Sequence, residues 1–158
     1  MATADGALVK LSFLELIGTQ LAKFLTKEHI QNDAYYRISI DDIKSILKPG
    51  DVVLVEGQSR VSSAIQFITN SNWSHAAVFI GKTDYFNHCL IEVKAVDGCT
   101  YTDINTYMHH NLRVCRPIFL DKRKKKILIN YLVKKIGAKY DLKNIIDLIR
   151  YIYPNPPI

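Results

Sequence analysis

The amino-acid sequence predicts an α+β domain, an antiparallel sheet or small barrel with helices packed beside it. Three observations carry this. The elements run helices, then strands, then helices; the strand candidates are short apolar runs bounded by turn residues; and no Gly-, Ser- or Pro-rich linker or internal repeat divides the 158 residues. With 48% hydrophobic and 23% charged residues, the composition is that of one globular domain with a real core.

Leu8, Leu11, Leu14, Ile17, Leu21, Phe24 and Leu25 recur at helical spacing, with Lys10, Lys23 and Lys27 among the polar positions between them. This predicts an amphipathic helix, which either packs on the core or lies in a membrane interface. A polar connection follows over 28–39, then a short helical turn over 41–47 that Pro49-Gly50 ends. Residues 1–46 therefore read as a helix and connection packing on a domain spanning 47–158. Within that domain, β-branched residues between Gly50 and Gly57 predict a buried strand over 51–56. Ser62 or Ser63 can cap the next helix, which carries Ile65 and Ile68 and breaks at Asn70-Ser71-Asn72. Strands are expected over 74–81, 86–96 and 112–117, with a turn at Asp97-Gly98. Asp121 can cap a helix carrying Ile127, Leu128, Tyr131, Leu132 and Ile136, stopped by Gly137; Asp141 can cap a last one through Ile145, Ile146 and Ile149, stopped by Pro154.

Three cysteines, Cys89, Cys99 and Cys115, form an odd set without regular spacing, which points to a reducing, cytoplasmic setting rather than a disulfide framework. The start Met1-Ala2-Thr3-Ala4-Asp5 lacks an export signal, and no apolar run approaches the ~18 residues of a membrane span. A net charge of +6 permits attraction to any anionic surface without choosing among them. Its densest run, Lys122-Arg123-Lys124-Lys125-Lys126, lacks interleaved aromatic residues and any recognition motif, so nucleic acid is not an expected partner. Close ligand pairs such as Cys-x-x-Cys are also missing, and adjacent His109-His110 point apart, so no metal or other cofactor is expected.

The stretch most suggestive of chemistry is Trp73-Ser74-His75-Ala76-Ala77-Val78-Phe79-Ile80-Gly81, where a histidine opens an apolar strand. Glu92 lies seventeen residues on, inside a second apolar run. If 82–85 is the turn of a hairpin, His75 stands directly opposite Glu92, and a one-residue slip would put them on opposite faces. The carboxylate could then hold one imidazole nitrogen and leave the other for proton transfer. A hydrogen-bonded structural histidine beside a strand-edge glutamate fits the same residues.

Leu47-Lys48-Pro49-Gly50-Asp51-Val52-Val53-Leu54-Val55-Glu56-Gly57, Ser59-Arg60-Val61-Ser62, Trp73-Ser74-His75-Ala76-Ala77, Leu90-Ile91-Glu92, Arg116-Pro117 and Tyr140-Asp141-Leu142-Lys143-Asn144 are ordered and spaced as in a known family. The chain resembles the circularly permuted papain-like proteins of the YiiX/YaeF type in the NlpC superfamily, which are related to a poxvirus protein group. The resemblance implies a thiol hydrolase or acyltransferase fold acting on amide or ester bonds of peptides or lipids. His75 would be the base, Glu92 its orienting partner and Tyr140 a hydroxyl donor, with Arg60, Trp73 and Ser74 at the cleft. For Tyr140 a structural role, and for Arg60 and Trp73 surface or core duty, remain open beside this.

The resemblance further implies a nucleophilic cysteine in a Cys-Ser pair, opening a C-terminal helix downstream of a Pro-rich stretch. The chain reaches Pro154-Asn155-Pro156-Pro157-Ile158 without it, so the expectation is an inactive chain whose nucleophile lies beyond Ile158, whether cut from a longer parent or a natural short form. None of the three cysteines opens a helix, where a thiol would be acidified; Cys115, between Arg113 and Arg116, is the first of them to consider. The alternative function is a non-catalytic lipid- or peptide-binding module that meets a membrane peripherally through the N-terminal helix. Oligomeric state is not legible.

Overall fold

The computed structural model describes Lys27 and residues 38–139. The predicted N-terminal helix and the predicted helix after Asp141, together with Tyr140, lie outside them. The described chain runs α1 (Ile40–Ile46), β1 (Val52–Val55), α2 (Arg60–Thr69), β2 (His75–Gly81), β3 (Cys89–Lys94), β4 (Gly98–Asp103), a 3₁₀ turn (Ile104–Tyr107), β5 (Leu112–Cys115) and α3 (Lys122–Val133). The strands form one antiparallel sheet in the order β4-β3-β2-β1-β5. Its outer strands β4 and β5 do not pair with each other, so the sheet is open rather than a barrel. No described helix is long and apolar enough to cross a membrane.

Alternation along the strands decides which residues meet. Val53, Val55, Ala77, Phe79 and Leu90 occupy one face and join Ile43 of α1 with Ile104 and Tyr107 of the 3₁₀ turn in a single core cluster. Cys89 to Glu92 of β3 are all buried, as expected of a strand with neighbours on both sides. α1 is capped by Ser39, whose hydroxyl accepts from the Asp41 N–H; it buries Ile43 in the core and packs the partly buried Ile40 against it.

Two local features differ from the sequence expectation. The cap of α2 is Ser59, whose Oγ accepts from the Ser62 N–H at 3.1 Å, so the helix starts earlier than a Ser62 or Ser63 cap would allow. Ser62 instead exchanges a hydroxyl hydrogen bond with Ser59 at 2.8 Å. The strand β4 is additional: Thr100, Tyr101 and Thr102 pair along the whole of β3. Its outer edge is met by the chain after α3, where the Cys99 N–H donates to Ala138 O and the Gly137 N–H to Cys99 O, both at 2.8 Å. Gly98 begins that edge at φ +70°, and a Cβ there would collide with the Ala138 carbonyl oxygen.

An ion pair on a buried carboxylate closes one end of the sheet's β1–β5 side. Arg116 donates through Nε and Nη2 to the two oxygens of Asp51, at 2.9 and 2.7 Å, and its Nη2 also reaches the Ile46 carbonyl at the end of α1. Burial raises the Asp51 pKa, but the Arg116 guanidinium and the Lys48 N–H bring it net below the ordinary carboxylate value. The Arg-Pro motif that follows β5 thus has a structural task in the fold.

Leu90→Ala, at a fully buried core position, is expected to cost about 2–5 kcal/mol in chemical denaturation. Phe67→Ala on the exposed face of α2 should stay within about 0.5 kcal/mol of the parent chain.

Candidate active site

His75 opens β2 at the end of the sheet where Val55 of β1 stands beside it. The neighbouring Ser74 continues that pairing through its N–H to Val55 O at 3.1 Å, and its Oγ accepts from the Gly57 N–H at 3.1 Å. Gly57 permits this close approach: a Cβ would sit 2.7 Å from the Ser74 oxygen and collide with that of Ser62. The loop after β1, the start of α2 and the start of β2 are therefore packed together around the histidine.

The hairpin register is not the expected one. Glu92 stands opposite Ala77, not His75, because the connection between β2 and β3 runs over 82–88 and the pairing shifts between Phe79 and Gly81. A four-residue turn over 82–85 misses both the longer loop and that irregularity. The offset at Glu92 is two residues, and with a side-chain period of two it keeps His75 and Glu92 on one face as diagonal neighbours. Their side chains meet: His75 Nε2 bonds Glu92 Oε2.

Two residues that sequence reasoning passed over complete the arrangement. The Tyr107 hydroxyl donates to the same Glu92 oxygen, and the Lys94 ammonium lies 3.2 Å from the other one. Lys94 sits two residues after Glu92, so strand alternation alone could have flagged it. Tyr107 arrives only after the chain has returned along β4 and turned through the 3₁₀ segment capped by Asp103, and no local pattern announces it. His110 packs edge-on against the Tyr107 ring at 5.5 Å between centroids.

Glu92 has no exposed side-chain surface. Burial raises its pKa, and the interactions with His75, Thr102 and Tyr107 reverse that and lower it to about 2. An ionised carboxylate can only accept, so the proton in the His75–Glu92 bond belongs to Nε2. Nδ1 is then the nitrogen left to exchange protons, on a ring whose side chain is 29% exposed. Beside it opens a cavity of about 600 Å³ that wraps the end of the β2–β3 pair. Ser59, Ser62, Ser74, His75, Glu92, Lys94, Tyr107 and His110 supply its polar wall; Val61, Ile65, Val78, Ile91, Val96 and Leu132 are among its apolar residues.

Of the residues expected at the site, the structure thus brings together Ser74, His75 and Glu92. Arg60 is exposed at the first position of α2 and Trp73 is half-buried ahead of Ser74; both adjoin the cavity wall in sequence without forming part of it. Tyr140 lies outside the described residues. The three cysteines share one property. Cys99 pairs with Val93, Cys89 precedes Glu92 by an odd number of residues, and Cys115 pairs with Val52, so each is on the sheet face opposite His75 and Glu92. Burial pushes the thiols of Cys89 and Cys99 up, although Cys99 lines the cavity from its own side. Arg116, the expected activator of Cys115, is committed to Asp51.

The depressed Glu92 pKa carries a pH signature. Its contribution to stability is complete above the ordinary value of 4.5 and disappears as pH falls through about 2. Melting temperature should therefore drop over that window, and Glu92→Gln should flatten the drop; an unchanged acid limb would mean that Glu92 is not held as an anion.

No curated protein matches the chain. The family model of the permuted papain-like amidase enzymes, YaeF/YiiX, C92 family, matches residues 46–151, which include the whole described sheet, the His75–Glu92 pair and α3. With that match covering most of its length, and with an α+β fold of the expected kind, the chain belongs to the permuted papain-like amidase family.

Proposed function

We propose that the cavity beside His75 is the active site of a cysteine-dependent amide hydrolase, with His75 as general base and acid and Glu92 as its orienting anion. The observation that carries this reading is the fixed imidazole: an ionised, fully buried Glu92 holds Nε2–H and presents Nδ1 as the proton acceptor. In this reading Nδ1 takes the proton of a thiol, the thiolate attacks the amide carbonyl, and a C–S bond forms. The imidazolium then gives its proton to the departing amine as the C–N bond breaks. Water attack on the thioester releases the acid; capture by another nucleophile would make the same intermediate a step in acyl transfer, and an ester could enter by the same route.

Tyr107 and Lys94 serve the base indirectly. Both stabilise the Glu92 anion, and Tyr107 fixes the oxygen that accepts the His75 Nε2–H hydrogen bond. Ser59, Ser62 and Ser74 give the cavity wall hydroxyl groups near the ring, while the apolar side takes the non-reacting part of the substrate. The thiol itself is assigned to sequence outside these 158 residues, because Cys89, Cys99 and Cys115 all project from the other face of the sheet.

The test compares this chain with a longer product of its parent gene, using an electrophilic thiol probe and a fluorogenic amide. The longer chain should react at one added cysteine, and His75→Ala should lower turnover by about 10²–10⁴-fold, the usual worth of a general base. Amide turnover by the 158-residue chain that Cys99→Ala abolishes would overturn the assignment of the thiol. Turnover in the longer chain that is indifferent to His75→Ala would overturn the assignment of the base.

A further inference from the structure

The segment between β5 and α3 exposes two large apolar side chains at its tip: Ile118 and Phe119 are 89% and 86% solvent-accessible. Neither belongs to the core cluster or to the cavity wall. Leaving such a pair in water gains nothing for the fold, since surface-exposed Ile and Phe recover their transfer free energy only when something apolar covers them. The chain turns there directly into α3, whose first five residues are all cationic, Lys122 to Lys126.

Lys124 reaches the Phe119 carbonyl at 3.4 Å and Lys125 lies beside Gly50, but the other three cations are not explained by folding. They occupy the helix N-terminus, where positive charge opposes the helix dipole. The acidic residue beside them, Asp121, caps the helix and lies 3.8 Å from Lys124. Lys122, Arg123 and Lys126 are exposed and make no ion pair among the described residues. An apolar tip followed directly by cations that make no ion pair among the described residues matches the cross-section of an anionic bilayer: headgroup charge outside, hydrocarbon beneath.

We propose that the Ile118-Phe119 tip and the basic start of α3 form a docking surface for an anionic lipid bilayer. The tip inserts at the headgroup boundary, and Lys122, Arg123 and Lys126 contact acidic headgroups. The cavity residue Leu132 sits ten residues further along α3, about 15 Å at the helical rise, so docking leaves the cavity end of the helix clear of the contact. The surface is independent of the catalytic reading.

Sedimentation of the 158-residue chain with large vesicles tests it. Binding is expected to vesicles of phosphatidylcholine containing phosphatidylglycerol and not to phosphatidylcholine alone. Each cation removed from Lys122, Arg123 and Lys126 should weaken it about fivefold, the equivalent of ~1 kcal/mol per charge. Ile118→Ser with Phe119→Ser should weaken it at least tenfold at unchanged melting temperature. Failure to bind the acidic vesicles, or binding indifferent to the Ile118 and Phe119 pair, overturns the proposal. Displacement by a double-stranded oligonucleotide with dependence on the cations alone would make the surface a nucleic acid site instead.

Discussion

The buried carboxylate of Glu92 is the constraint on which the described structure turns. An ion taken out of water costs several kcal/mol unless its lone pairs are met, so the fold must bring donors to it from separate parts of the chain. β2 supplies His75, β3 itself supplies Lys94, and the turn after β4 supplies Tyr107. Each delivery depends on pairing: β2 against β3 in a register that preserves the face, and β4 against β3 so that the chain re-enters the core at Ile104 and Tyr107. The apolar core and the polar site are thus built by the same strands, with Val53, Ala77 and Leu90 filling the face on which the carboxylate stands.

From that anion follows the state of the histidine. Two neighbouring donors share one oxygen, so the imidazole is held through Nε2 on a residue that lines the cavity. Cys89, Cys99 and Cys115 stand on the sheet face opposite that ring. Membership of the amidase family and the geometry of the imidazole rest on different grounds, one on sequence likeness over 46–151 and the other on side-chain contacts.

Much of this was legible before the fold. The apolar runs around Val53, Phe79 and Leu90, bounded by glycines and turn residues, mark β1 to β3, and the odd or even spacing along them determines faces without coordinates. The expected turn was too short, yet His75 and Glu92 still met, since a two-residue offset preserves the face where a one-residue slip would not. What the sequence concealed is non-local. Tyr107 reaches Glu92 across fifteen residues and an unexpected strand, and β4 itself, with only Cys99, Thr100, Tyr101 and Thr102 between a glycine turn and an aspartate, lacks the apolar run that marks its neighbours. The cap at Ser59 was missed for a simpler reason: three serines within five positions all fit a capping role, and backbone geometry chooses among them.

The resulting picture separates two polar arrangements on one small sheet, an imidazole held by a carboxylate at the β2–β3 end and a clamp between Asp51 and Arg116 at the other end of β1. The central claim concerns one proton on one ring. Long-range ¹H–¹⁵N NMR of His75 reads that proton directly, and above the pH at which the ring titrates the expected result is the Nε2–H tautomer with a bare Nδ1, lost in Glu92→Gln. A neutral ring carrying its proton on Nδ1 would contradict the account, because Glu92 would then not be the residue that aims the base.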